Sequence, residues 1–213
     1  YTLFSGTFGG PITGAGGLQV SGPETTLAWG QVILRGANTY AGATKINNGT
    51  LQIGAGGTLG QRPVVNNATL LFSSDADVTV TNAISGAGRV VKSGAGKLTL
   101  AGTNSFTGGV QVDGGTVSVG TGLAAASSTL GVGGALDLGG SSLSIGRLVG
   151  TGVVNTASGA VTLTVGTDSS DSQYRGVLAN GSGTLSLTKV GLGTFALSGQ
   201  NTYGGATVVG GGT

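Results

Sequence analysis

The chain contains no cysteine, methionine or histidine, and only three prolines and one tryptophan in 213 residues. Without cysteine there is no disulfide framework and no thiol chemistry, so stability must come from packing alone. Without histidine, Ser-His-Asp catalysis, histidine-ligated metals and imidazole general bases are excluded, which leaves carboxylates and lysines as possible actors. Charge is scarce too: 8% of the residues are charged, with seven carboxylates and nine cations for a net charge of +2. The cations Arg35, Lys45, Arg62, Arg89, Lys92, Lys97, Arg147, Arg175 and Lys189 are scattered, and no aromatic residues interleave with the loose group Arg89, Lys92 and Lys97. That pattern argues against nucleic acid as a partner. Mean hydropathy is +0.31, yet glycine and polar residues interrupt every apolar run well short of the roughly 20 residues of a spanning helix. The short apolar segments also fall short of the ~9–11 residues of a barrel strand, so no membrane insertion by this segment is expected. No basic, apolar, small-residue sequence opens the chain, which places Tyr1 inside a mature region.

What the chain has is glycine, 47 of them, and repetition. Three stretches are variants of one another: RGANTYAGATKINNGTLQIG from Arg35, AGTNSFTGGVQVDGGTVSVG from Ala101, and SGQNTYGGATVVGGGT from Ser198. Aligned on Asn38, Asn104 and Asn201, each has an apolar pair just before the anchor: Val32 and Leu34, Leu98 and Leu100, Phe195 and Leu197. A second pair follows it: Thr44 and Ile46, Val110 and Val112, Thr207 and Val209. The first two copies add Leu51 and Ile53, Val117 and Val119. Within each pair the intervening residue points the other way, a period of two that specifies strands. Each copy is therefore expected to hold three short strands joined by Gly-Asn-Thr-aromatic-Gly and Asn-Gly or Gly-Gly corners, where glycine and asparagine suit turn geometry. Such units cannot bury an apolar face alone and stack into a solenoid. The anchors lie 66 and 97 residues apart, which fits coils of roughly 20 to 25 residues.

Two further patterns fill the gaps. An apolar residue followed by a Gly-x-Gly turn occurs at Ile12, Ile84 and Leu148, and with one extra residue at Leu178. Lys92 and Lys189 each precede a Gly-x-Gly turn at one offset before the second and third anchors. Alternating segments at Leu70–Phe72, Val78–Val80, Leu136–Leu138, Leu143–Ile145 and Val161–Val165 add strands, and no stretch reads as a helix.

In these residues the chain resembles the passenger-associated transport repeat of bacterial autotransporters, with TFALSGQNTYGGATVVGGGT following the pattern almost throughout. The resemblance implies an all-β, right-handed parallel β-helix of three sides, here about nine or ten coils. It implies a stalk secreted through a C-terminal outer-membrane barrel and displayed outside the cell. Residues 1–213 are expected to be a single β-helix segment, a fragment or repeat unit of a longer passenger.

Candidate sites are weighed against structural roles. Asp75 and Asp77 form an Asp-Ala-Asp pair of a kind that binds Ca²⁺ or cleaves polysaccharides, and Asp168 and Asp171 lie in a polar loop; a solvated turn is the simpler reading of both. Lys92 and Lys189 recur in a repeated turn and read as architectural. Gly94-Ala-Gly-Lys97 lacks the spacing of a phosphate loop and the hydroxyl residue that follows its lysine. Trp29 reads as core or a corner plug, and Tyr40, Phe106 and Tyr203 as coil-to-coil braces. The tripeptides at Asn48, Asn67 and Asn180 match a glycosylation sequon and carry no weight. No catalytic, cofactor-binding or metal-binding residue is assigned, and no cofactor or enzymatic activity is expected.

The expected function is a structural stalk supporting export and adhesion, with a host-cell or matrix surface as partner. The alternatives are a self-associating fibre component and, third, a polysaccharide lyase or hydrolase. Self-association is suggested by the ends: Thr213 stops where Thr50 and Thr116 lead into strands, and Tyr1-Thr-Leu3 placed after it completes the pattern. A solenoid with an open end pairs readily with another edge.

Overall fold

The structure, a computed structural model, describes residues 1–21, 30–120, 123 and 128–213. Trp29 lies outside them. Among the described residues all regular elements are strands, every strand pair is parallel, and the strands wind into a three-sided β-helix. One side is a continuous sheet of ten strands running from Gly6–Phe8 to Phe195–Leu197, one strand per turn, so the rod has ten coils. At ~4.8 Å per strand this sheet spans about 43 Å. We call it the second side.

The first side, which precedes it in each turn, begins as a five-strand sheet from Thr2–Leu3 to Ile84–Ser85. It continues through the isolated bridge between Asn104 and Leu123, and ends as a four-strand sheet from Leu143–Ile145 to Thr207–Val209. The third side is a six-strand sheet from Val78–Val80 to Val177–Leu178. In the earlier coils its place is taken by non-strand segments around Ile12, Asn38 and Thr58, which are tied to one another by hydrogen bonds.

The alternation read from the sequence matches the burial. Leu51 and Ile53 are buried while Gln52 between them is partly exposed; Thr44 and Ile46 are buried while Lys45 is exposed. In the last coil all of Thr207, Val208 and Val209 are exposed. Inward residues of successive coils stack in register, as in the second-side column Ile53, Phe72, Lys92, Val112 and Val132. Tyr174 stands between Gly150 and Leu197 in its column, with no side chain on the Gly150 side. Column packing of this kind supplies the apolar burial, at about 25 cal/mol per Å², that no single coil provides. Ser172 Oγ is buried with no hydrogen-bond partner among the described residues, and nothing in the structure explains it.

Coil length varies. On the second side, Leu130 pairs with Leu148, 18 residues on, and Gly6 with Val32, 26 residues on. The two ends stand at different points of the turn. Thr2–Leu3 is a first-side strand, whereas the Thr213 carbonyl accepts the Phe195 N–H (2.7 Å) at the entry to the second side. Tyr1–Leu3 therefore does not occupy the side on which a strand directly following Thr213 would lie.

Candidate functional site

The repeated corner is the most elaborated polar feature of the rod. Its asparagine reaches across to the preceding coil. Asn38 Oδ1 accepts the Ile12 N–H (2.7 Å), Asn104 Oδ1 that of Ile84 (3.2 Å), and Asn201 Oδ1 that of Leu178 (2.9 Å). Those three partners are the apolar residues that open Gly-x-Gly turns, so two patterns that look separate in the sequence are the two halves of one joint. The carbonyls of the same residues accept from Thr39, Ser105 and Thr202. The fourth such turn, at Leu148, has no asparagine above it; there Tyr174 Oη donates to the Gly152 carbonyl (2.8 Å), and burial pushes that phenol's pKa up.

The rest of the corner follows from close approach. A Cβ on Gly36, Gly102 or Gly199, two residues before each asparagine, would collide with the backbone carbonyl of Gly10, Asn82 or Gly176 in the coil below. The aromatic residue two after each asparagine plugs the interior, with Tyr40 and Phe106 fully buried and Tyr203 partly so in the last coil. Tyr40 Oη bonds Thr44 Oγ1 (2.6 Å) and Tyr203 Oη bonds Thr207 Oγ1 (2.7 Å). In the second copy both hydroxyls are missing together, as Phe106 and Val110. This paired change avoids an orphaned buried hydroxyl. Tyr40→Phe alone is expected to cost about 1–2 kcal/mol by stranding Thr44, and Tyr40→Phe with Thr44→Val to recover most of it. A double-mutant cycle by urea unfolding measures the difference; strict additivity would refute the coupling.

Both lysines of the repeated Lys-x-Gly-x-Gly turn stand in core columns, Lys92 between Phe72 and Val112, and Lys189 between Val165 and Val209. They are 1% and 3% exposed. Their stems pack as apolar residues while the ammonium groups turn to the corner carbonyls. Lys92 Nζ donates to Ser74 O (3.2 Å), Ser93 O (2.6 Å) and Gly94 O (2.6 Å). Lys189 Nζ donates to Val190 O (2.7 Å), Gly191 O (3.0 Å) and Gly211 O (3.1 Å). Each lysine thus satisfies all three donors and ties its own turn to an adjacent coil. Burial pushes the Lys92 pKa below its usual value, and the Asp75 and Asp77 charges oppose that shift.

The candidate acids are placed on corners as well. Asp75 Oδ1 accepts the Ala95 N–H and Asp77 Oδ1 the Lys97 N–H, both at 2.8 Å and both from the next coil. Asp171 Oδ1 accepts from Thr194 (2.7 Å). Asp168 accepts from Ser170 and pairs with Arg147 (3.3 Å); burial raises its pKa, but these bonds and the arginine charge outweigh it, leaving the carboxyl below its usual value. Among the described residues no three acids gather where a metal ion would sit. Asn67 and Asn180 of the sequon tripeptides likewise accept backbone N–H groups through Oδ1. Asp137, which the sequence did not single out, is the most enclosed acid among the described residues at 7% exposure. Its Oδ1 accepts from Gly139 (2.9 Å) and Ala157 (2.8 Å), its Oδ2 from Ser118 Oγ (3.0 Å), and Lys97 Nζ lies 3.8 Å away. Burial raises its pKa, yet those bonds and that charge together hold it below the usual carboxylate value. Its only sequence signal is an acid inside the alternating Leu136–Leu138 segment; the register that sets it beside Ser118 appears only on stacking.

The asparagine half of each joint lies in a segment that a family model recognises, and the partner half lies outside it. The model for the passenger-associated-transport-repeat matches residues 29–53, 90–119 and 187–213, each enclosing one of the asparagine anchors. The chain carries passenger-associated transport repeats. Across 141 residues, 54% of its length, it is 34% identical to the adhesin BmaC autotransporter of Brucella suis biovar 1 (strain 1330), and it spans 4% of the length of that relative. No solved structure matches the chain. Within the rod the transport repeats are not in phase. Asn38 and Asn201 sit on the third side, in line with Thr58 and Leu178, whereas Asn104 sits on the first, beside Ile84. The middle repeat is turned by one side, and its joint forms all the same. In this rod the clasp between coils is therefore local and is not tied to one face.

Proposed function

We propose that the segment is a non-catalytic rod of a surface-displayed autotransporter passenger, which carries adhesive surface away from the cell and whose folding outside the membrane assists export. One observation carries this reading: the conspicuous polar groups of the corners, three asparagines, two buried lysines and the acids Asp75, Asp77, Asp137 and Asp171, are engaged between coils and are not gathered around a pocket. The likeness to an adhesin autotransporter supports the same reading. Its test is display. With the segment placed between an epitope tag and an autotransporter barrel, the tag is expected on intact cells and removable by added protease. A tag retained in the periplasm would overturn the export role. Release of reducing ends from polysaccharide by the purified segment, lost in Asp75→Asn or Asp77→Asn, would overturn the non-catalytic one.

A further inference from the structure

The corner between the first and second sides presents hydrogen-bond donors that have no partner among the described residues. An open groove of about 390 Å³ lies there, lined by Asn47, Thr50, Asn67, Thr69 and Arg89 among others. A second, of about 160 Å³, begins on the other side of the same Arg89 and runs past Gly108, Gly109 and Gln111 to Thr129. Arg89 lines both. The strand register places Thr50, Thr69 and Arg89 in one row along the rod, and the Val90 N–H donates to the carbonyl of Gly109 in the next coil. With Gly108 and Gly109 the row loses its side chains, which leaves the second groove open.

The donor capacity is specific. Asn67 Oδ1 is taken by the Ala87 N–H (3.3 Å), so what this residue offers outward is its Nδ2. Arg89 donates Nε to Thr69 Oγ1 (3.3 Å), which orients the guanidinium and leaves both Nη groups without a partner among the described residues. Among the described residues no carboxylate lines either groove, and Asp113 holds the Gln111 amide (2.9 Å). An arginine fork with free donors recognises planar or tetrahedral oxyanions, and amide and hydroxyl groups at the spacing of the coils, ~4.8 Å, repeat at close to the length of one ring in an extended sugar chain.

We propose that this corner is a binding groove for an acidic glycan, uronate or sulfated, lying along the rod axis with Arg89 as its anchoring contact. The inference rests on the surface reading only for access to such polymers, and binding by the purified segment is measured independently of display. Calorimetry with hexagalacturonate, heparin hexasaccharide and neutral maltohexaose is expected to show binding of one or both acidic oligomers and none of the neutral one. Arg89→Gln is expected to weaken binding about tenfold or more, the loss of a charge-assisted contact. Asn67→Asp, which keeps the acceptor for Ala87 and adds a repelling charge, is expected to weaken it as well. Arg175→Gln, an equal change in net charge away from the groove, is expected to leave affinity within about twofold. Circular dichroism checks that each variant keeps its strands. Absence of acidic-glycan binding, equal binding of maltohexaose or of oligothymidylate, or equal weakening by Arg175→Gln overturns the assignment.

Discussion

Gly102→Val is expected to break the rod between two coils. Its Cβ would lie 2.5 Å from the Asn82 carbonyl carbon and closer still to the oxygen, atoms of the backbone that no rotamer change moves aside. Relief requires the coils to separate, and separation removes the bonds that Ala101 and Gly102 N–H groups make to the Val80 carbonyl and the Asn104 bond to Ile84. Overpacking against immobile atoms together with loss of a joint is expected to cost about 3 kcal/mol or more. Because solenoid stability is a sum over neighbouring coils, the loss is local. Hydrogen exchange is therefore expected to rise first over residues 80–107, with protection kept in the coils on both sides. Gly114→Ala is the control: its Cβ meets Gly94 O at an ordinary 3.5 Å, and a shift within about 0.5 kcal/mol is expected. Equal unfolding midpoints for the two variants would show that close approach is not what the repeat's glycine is for.

Asp137→Ala is expected to be the most destabilising change among the acids. It strips an ionised acceptor from the Gly139 and Ala157 N–H groups and from Ser118, and leaves Lys97 without its partner. Water reaches Gly139 and Ala157, both exposed, so the expected loss is about 2–4 kcal/mol, below the full sum of charged hydrogen bonds. The pH dependence has a definite sign. The folded carboxyl titrates below 3.8, the ordinary value that the unfolded chain retains. At pH above that value both states are ionised and the contribution is complete. As pH falls further the unfolded state takes up its proton first, and the contribution drains away until the folded pKa is passed. The stability gap between the native chain and Asp137→Asn is thus expected to be level from neutral pH down to about pH 5 and to shrink below pH 4. Chemical denaturation across that range measures it; a gap that widens with acid would contradict the bonding seen around this residue.

Much of this is written in short segments. Val32-Ile-Leu34 and Leu51-Gln-Ile53 alternate because a strand with one face inward needs them to, and that need acts within three or four residues. The asparagine, aromatic and glycine of each corner are similarly local, and so are Lys92 and Lys189, whose recurrence reads as architecture and whose ammonium groups cap turn carbonyls. The joint between Asn38 and Ile12, 26 residues apart, and that between Asn104 and Ile84, 20 apart, share no fixed separation by which the sequence would announce them.

The sequence by itself determined that the chain is a stack of short strands with glycine and asparagine corners, since alternation and turn chemistry are properties of a few neighbouring residues. Stacking alone decided which side each repeat occupies, that Asp137 is enclosed by Ser118 and Lys97, and that Asn67 and Arg89 share one groove. Coils of 18 to 26 residues shift the phase of everything above them, and contacts between coils depend on that accumulated phase, which no single segment carries.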